Sequence, residues 1–153
     1  MALEIHADDL SSADTRALVT AHVSGMLENT PPESCHALDA DALLDNGAQL
    51  WTARVDGELA GIGALAPWGD GAGELKSMRV TAAFLGKGIG RAILRHIMAE
   101  ARARGIRSLW LETGSGADFA AARGLYASEG FVECPPFGSY RPDSLSTFMT
   151  REI

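Results

Sequence analysis

The sequence predicts a single α/β (α+β mixed) domain, residues 1–153, built on a mixed sheet. Three observations lead there. A run of strand-like residues folds back on itself at Asp56-Gly57. A glycine-rich turn then opens a long helix with one apolar face, and a nearly continuous apolar run, Leu109-Trp110-Leu111, follows that helix. A chain of this length buries a core without help from disulfides.

Taken in order, residues 3–5 suit a short first strand. Ser11 with Asp14 resembles a capping pair for a helix striped by Leu18, Val19, His22, Val23 and Met26, and Pro31-Pro32 ends it. A short second helix fits residues 39–45. Residues 51–55 and 59–65 read as a hairpin, and residues 74–80 as a third strand after a loop containing Gly69, Gly71 and Gly73. The long helix carries Ile89, Ile93, Ile97 and Ala101 on one face and runs to about Arg104, with Gly105 placed as a C-cap. Residues 108–113 form the apolar strand. Ser115 with Asp118 suits the start of another helix, which runs to Ser128 and closes at Gly130. Residues 131–133 and 146–151 supply the last strands.

Composition narrows the function. No apolar run approaches the roughly 18 residues of a membrane span. Residues 1–9 lack the basic and apolar regions of a signal peptide, so a cytoplasmic protein is expected. Net charge is −7, which argues against nonspecific binding to nucleic acid or membrane. Residues 76–107, however, carry eight cations and one anion, Glu100, a distribution suited to a small polyanionic ligand. Cys35 and Cys134 read as reduced thiols. His6, His22, His36 and His96 show no HxxxH spacing and no CxxC accompanies them, so no metal site is expected.

The stretch that carries chemistry is Leu85-Gly86-Lys87-Gly88-Ile89-Gly90-Arg91, between a strand and a helix. Its glycines let a ligand approach the backbone, and the first helical amides lack internal partners, which together suit a phosphate. A P-loop is excluded, since neither its spacing nor its hydroxyl is present. A dinucleotide fingerprint fits at Gly86 and Gly88, with Glu112 as the ribose-binding acid, but Arg91 replaces the third glycine.

With Met78-Arg79-Val80 ahead of it and Leu125-Tyr126 and Gly130-Phe131 behind, this stretch resembles the GNAT superfamily of acyl-CoA-dependent N-acetyltransferases. The resemblance covers residues 51–133 and reaches the N-terminal helices only through their order. It implies a central, mostly antiparallel mixed sheet flanked by about four helices. It also implies acetyl-CoA as acyl donor without a metal, and transfer to an amine of a small molecule. Homodimers occur in the superfamily, and Phe148 and Met149 suit a subunit contact.

Laid on this sequence, the resemblance has the backbone of Met78, Arg79 and Val80 hold the pantetheine arm. The amides of Leu85, Gly86, Lys87, Gly88, Ile89, Gly90 and Arg91 would take the pyrophosphate, and Tyr126 would protonate the leaving thiolate. Two positions depart from the pattern. Leu85 stands where Arg or Gln is usual, and Phe119 where many members have Asn. Lys87, Arg91 or Arg123 would make up the missing charge. These departures keep open a second reading, a non-catalytic acetyl-CoA-binding module.

An amine must be neutral to attack, so a carboxylate base is required. Glu74 opens the strand before the glycine turn and is the first candidate; Glu112, after an apolar run, is the second. Ser34, His36, Trp68 and Tyr140 lie in the segments expected to set acceptor specificity. Ser115 and Cys134 lack the neighbours of an activated nucleophile, which favours direct transfer.

Overall fold

The computed structural model describes residues 2–31, 33 and 39–153. Seven strands form one sheet in the order β1-β2-β3-β4-β5-β7-β6. They are β1 (Leu3–Asp8), β2 (Gln49–Val55), β3 (Glu58–Pro67), β4 (Ala72–Val80), β5 (Ser108–Gly114), β6 (Val132–Cys134) and β7 (Ser146–Glu152). The helices are α1 (Ala13–Asn29), α2 (Ala40–Asp45), α3 (Ile89–Ala103) and α4 (Ala120–Ser128). All neighbouring strands are antiparallel except β4 and β5. That pattern is the mostly antiparallel mixed sheet expected, and it rules out the parallel sheet that a dinucleotide fold requires.

The β2–β3 hairpin turns where expected. Asp56 (φ +50°) and Gly57 (φ +85°) are both left-handed, as a two-residue turn matched to strand twist demands. The apolar face of α3 is also as read, since Ile89, Ile93, Ile97 and Ala101 are all buried. They pack with Trp51, Leu75, Leu109 and Leu111 into the larger core. A second core on the opposite face joins Val19 of α1 and Leu43 of α2 to Leu50, Ile62 and Ala64. Glycine sets how closely α3 lies on β3. A Cβ on Gly63 would stand 2.7 Å from Ile93 Cγ2, 2.7 Å from Met78 Sδ and 2.9 Å from Ile97 Cδ1.

Three local expectations are corrected. The N-cap of α1 is Ser12, whose hydroxyl donates to Thr15 Oγ1, and Asp14 instead holds Arg54 in an ion pair. Ser115 caps no helix: its hydroxyl meets Thr147 Oγ1 at 2.7 Å, while α4 begins at Ala120 after a 3₁₀ turn, Ala117–Phe119. Phe148 and Met149 face no free edge either. β7 lies between β5 and β6, and both residues are paired on each side and buried within the chain. Among the described residues no helix is long and apolar enough to cross a membrane.

Gly63→Ala is expected to lower stability by about 1–3 kcal/mol, the usual cost of overpacking a tight core. Urea unfolding followed by far-UV circular dichroism measures it.

Candidate active site

The site begins where β4 and β5 stop pairing. Only three residue pairs join them, ending at Glu74 and Trp110. Beyond that point β4 runs on to Val80 and β5 to Gly114 without bonding each other. The gap holds an inner cavity of about 100 Å³, walled by residues of both strands together with His22, Met26, Phe119, Ala122, Tyr126 and Tyr140. An outer cleft of about 640 Å³ is lined by Glu74, Trp68, Phe137, Tyr140 and Arg141 among others. Lys76 and Tyr140 line both spaces.

Glu74 is not the solvent-facing residue that a strand end suggests; its side chain is 14% exposed and that of its partner Lys76 12%. Lys76 Nζ donates to Glu74 Oε2 at 3.0 Å and to the Tyr140 hydroxyl oxygen at 3.0 Å, and the Tyr140 hydroxyl donates to the same Oε2 at 2.5 Å. The other carboxylate oxygen carries none of these bonds. Glu112 lines the inner cavity and lies close enough to act electrostatically on Tyr140. Burial, the bond to Glu74 and the two carboxylates together push the Tyr140 hydroxyl far up, so it remains a donor. Phe137 packs on its ring, 5.1 Å away between centroids, and is itself backed by Trp68 at 5.2 Å.

Tyr126 lies at the inner end, 6% exposed, its hydroxyl pushed well above the ordinary range by burial. A phenol held in this way stays protonated, and the same burial makes it a weaker acid. The glycine turn sits beyond. Gly86 (φ +73°) and Gly88 (φ +80°) have open space where a Cβ would project, so conformation and not crowding demands glycine there. The first backbone bond of α3 is Ala92 N–H to Gly88 O, which leaves the N–H groups of Ile89, Gly90 and Arg91 without helical acceptors. Leu85 is 63% exposed, and its own amide is directed at Ala82 O at 3.5 Å. Lys87 is exposed beside the turn, its ammonium over the Phe84 ring.

Two of the expected phosphate cations have structural work. Arg123 donates to the carbonyl oxygens of Gly114 and Gly116, and Arg91 bonds Ser128 and Glu129. Phe119 packs over Gly114 so closely that a Cβ there would stand 2.1 Å from its ring. Met78 lines the inner cavity, whereas the Arg79 guanidinium lies against Gly25 of α1 and Val80 packs into the core. Trp68 and Tyr140 line the outer cleft; Ser34, His36 and Cys35 lie outside the described residues. Cys134 carries no disulfide, lines neither space, and has its thiol pushed up by burial, which disfavours a thiolate nucleophile. Among the described residues no cluster of three or more His, Cys, Asp or Glu is placed to hold a metal.

His22 and Ser77 are the site residues that sequence reasoning missed. His22 sits on the apolar stripe of α1, where a histidine reads as core. Its Nδ1 is buried without a hydrogen-bond partner, and burial with the nearby Arg79 charge lowers its pKa to about 4. The imidazole is therefore neutral where it lines the inner cavity.

A cavity opens between two splayed parallel strands, with the Glu112 carboxylate in its wall. The chain belongs to the GNAT family of acetyltransferases: the model of the Acetyltransferase (GNAT) family matches residues 15–131. The uncharacterized N-acetyltransferase YedL of Escherichia coli K12 is 45% identical over 146 residues, 95% of this chain and 92% of the relative. The uncharacterized N-acetyltransferase YsnE of Bacillus subtilis is 44% identical over 151 residues, 99% of this chain and all of the relative. An IAA acetyltransferase of Azospirillum brasilense is 42% identical, covering 80% of each chain. Among solved structures, a Bacillus subtilis acetyltransferase in complex with CoA superimposes with a TM-score of 0.74 at 16% identity, covering 99% of each chain. The protein is thus an enzyme, an N-acetyltransferase of the GNAT type.

Folded His22 titrates near pH 4, against about 6.5 when exposed in the unfolded chain. Between those values the unfolded chain takes up a proton that the folded one refuses, so stability falls as pH drops from about 6.5 to 4 and levels off below. The full span is worth about 3 kcal/mol. His22→Gln should flatten that slope, as read from urea midpoints at intervals across the window.

Proposed function

We propose that this enzyme transfers the acetyl group of acetyl-CoA to the amine of a small molecule in the cytoplasm, by direct attack of the amine on the thioester. The observation that carries the reading is the Glu74–Lys76–Tyr140 cluster at the junction of the inner cavity and the outer cleft. A carboxylate in the cleft wall, bonded to two side chains that also line the inner cavity, supports a base for an amine that attacks a thioester in the split sheet. The free amides at the start of α3, with Lys87 beside them, suit the pyrophosphate, and Met78 suits the pantetheine arm. The CoA held by the Bacillus subtilis structure adds support at the level of the fold.

In this mechanism the neutral amine forms the C–N bond with its lone pair and passes a proton to the Glu74 oxygen that Lys76 and Tyr140 leave open. The C–S bond breaks as the carbonyl re-forms, and the departing thiolate takes the phenolic proton of Tyr126. Glu112, on the thioester side, is the alternative base. The neutral His22 adds no positive charge to the wall of the inner cavity, where the thioester would lie.

Thermal unfolding with acetyl-CoA, CoA, NADH and ATP tests the cofactor. A ligand present at about 100 times its Kd adds about 2.7 kcal/mol, a shift of several degrees for a domain this size. Acetyl-CoA and CoA should raise the Tm and NADH should not; no shift with acetyl-CoA defeats the reading. Thiol release with a panel of primary amines then identifies the acceptor. Tyr126→Phe and Glu74→Gln should each lower kcat by about 10²–10⁴-fold with cofactor binding kept. A Tyr126→Phe variant with full turnover removes the acid assignment.

A further inference from the structure

β4 bulges where it faces the inner cavity. Between the pairs Ile62–Arg79 and Ala64–Lys76, β4 carries one residue more than β3, and Ser77 takes up the irregularity with φ +55°. That conformation is strained for any residue with a Cβ and free for glycine. Serine occupies it all the same, and the hydroxyl gains nothing from the protein in return. Ser77 is 8% exposed, and its Oγ is buried without a hydrogen-bond partner. The residue lines the inner cavity between Lys76 and Met78, with Tyr126 and Leu111 also in the wall. Native proteins rarely bury a hydroxyl without a partner, because the lost bond to water goes uncompensated. A strained residue with an unmet donor in a ligand cavity is a group waiting for an acceptor carried by the ligand.

We infer that Ser77 is a catalytic residue whose hydroxyl donates to the carbonyl oxygen of the acyl thioester. The inference rests on the reading that acetyl-CoA occupies the inner cavity. Lys76 and Tyr140 mark the place where the two spaces meet, so the carbon under attack lies beside them, and Ser77 is the next residue along β4. The Lys76 ammonium is already committed to Glu74 and Tyr140. As the amine forms the C–N bond, the π pair of the carbonyl moves onto oxygen. The Ser77 hydroxyl steadies that charge while keeping its own proton. When the pair returns, the C–S bond breaks and the sulfur leaves as thiolate. A fixed donor in a buried site is well suited to this task, because it needs no reorganisation as the charge appears.

Isotope-edited infrared spectroscopy of bound acetyl-CoA, carbon-13 labelled at the thioester carbonyl, reads the bond without any acceptor amine. Ser77→Gly is the variant of choice, since glycine accepts φ +55° and the fold is kept; Ser77→Ala serves as a second. The carbonyl band should lie at lower wavenumber in the wild type than in either variant. Affinity for acetyl-CoA should fall in the variants while affinity for CoA, which has no thioester carbonyl, stays unchanged. An identical band in wild type and Ser77→Gly overturns the assignment. So does an equal loss of affinity for CoA and acetyl-CoA, which would place the hydroxyl on the pantetheine arm. Failure of the wild type to bind acetyl-CoA defeats the cofactor reading and this inference with it.

Discussion

Everything in this molecule that bears on chemistry depends on β4 and β5 parting after three paired residues. A continued parallel ladder would close the sheet and leave the backbone of both strands satisfied. Parting at Glu74 and Trp110 leaves a slot with Leu75, Ser77 and Met78 on one wall and Leu111, Glu112 and Thr113 on the other. The flanks are rigid for ordinary reasons. α3 is held to β3 by close packing at glycine, and β7 pairs along the whole of β5. The slot is therefore a fixed opening in a stiff sheet, so a ligand entering it gives up little conformational freedom of the protein.

The polar groups around the slot are arranged so that opposite charges pair. Glu74 and Lys76 point to the same side of β4, two residues apart, and Tyr140 from a distant loop closes the triangle. Pairing makes the burial of both charges tolerable, since an isolated carboxylate or ammonium at this depth would be expelled or neutralised. Tyr126 is removed from that group and surrounded by apolar side chains, with Phe131 5.8 Å away between ring centroids. Two hydroxyls of the same chemical type thus have different surroundings, one joined to a carboxylate and the other walled in by burial.

Much of this was legible in the sequence, and the reasons differ from part to part. The hairpin at Asp56-Gly57, the buried face of α3 and the left-handed Gly86 and Gly88 all follow from local rules, and the structure has them. Glu74, Trp68 and Tyr140 meet at the outer cleft and Tyr126 with Tyr140 at the inner cavity; the sequence singled out all four but not this arrangement. The caps failed. Ser11 and Ser115 carry suitable side chains, but the chain enters each helix one residue or more beyond them. The roles of Ser77 and His22 were out of reach for a different reason. A bulge is set by register between two strands, and an unmet hydrogen bond exists only after every neighbour is in place. Arg123 shows the converse: a cation in a promising segment holds, from α4, the carbonyl oxygens of Gly114 and Gly116 at the end of β5 and just after it.

The position of β7 has a consequence for how the molecule comes into being. It is the last strand in the chain and yet lies between β5 and β6, with Phe148 5.5 Å from the Tyr140 ring and 6.0 Å from Phe137. During synthesis β1 to β4 and α3 emerge early and can collapse on one another through mostly local contacts. β5 emerges later and keeps one edge bare until residues 146–152 follow. Only their arrival gives the aromatic rings a floor and brings Tyr140 to Glu74. A ribosome that stalled before β7 would release a chain with its glycine turn complete and β5 bare along one edge.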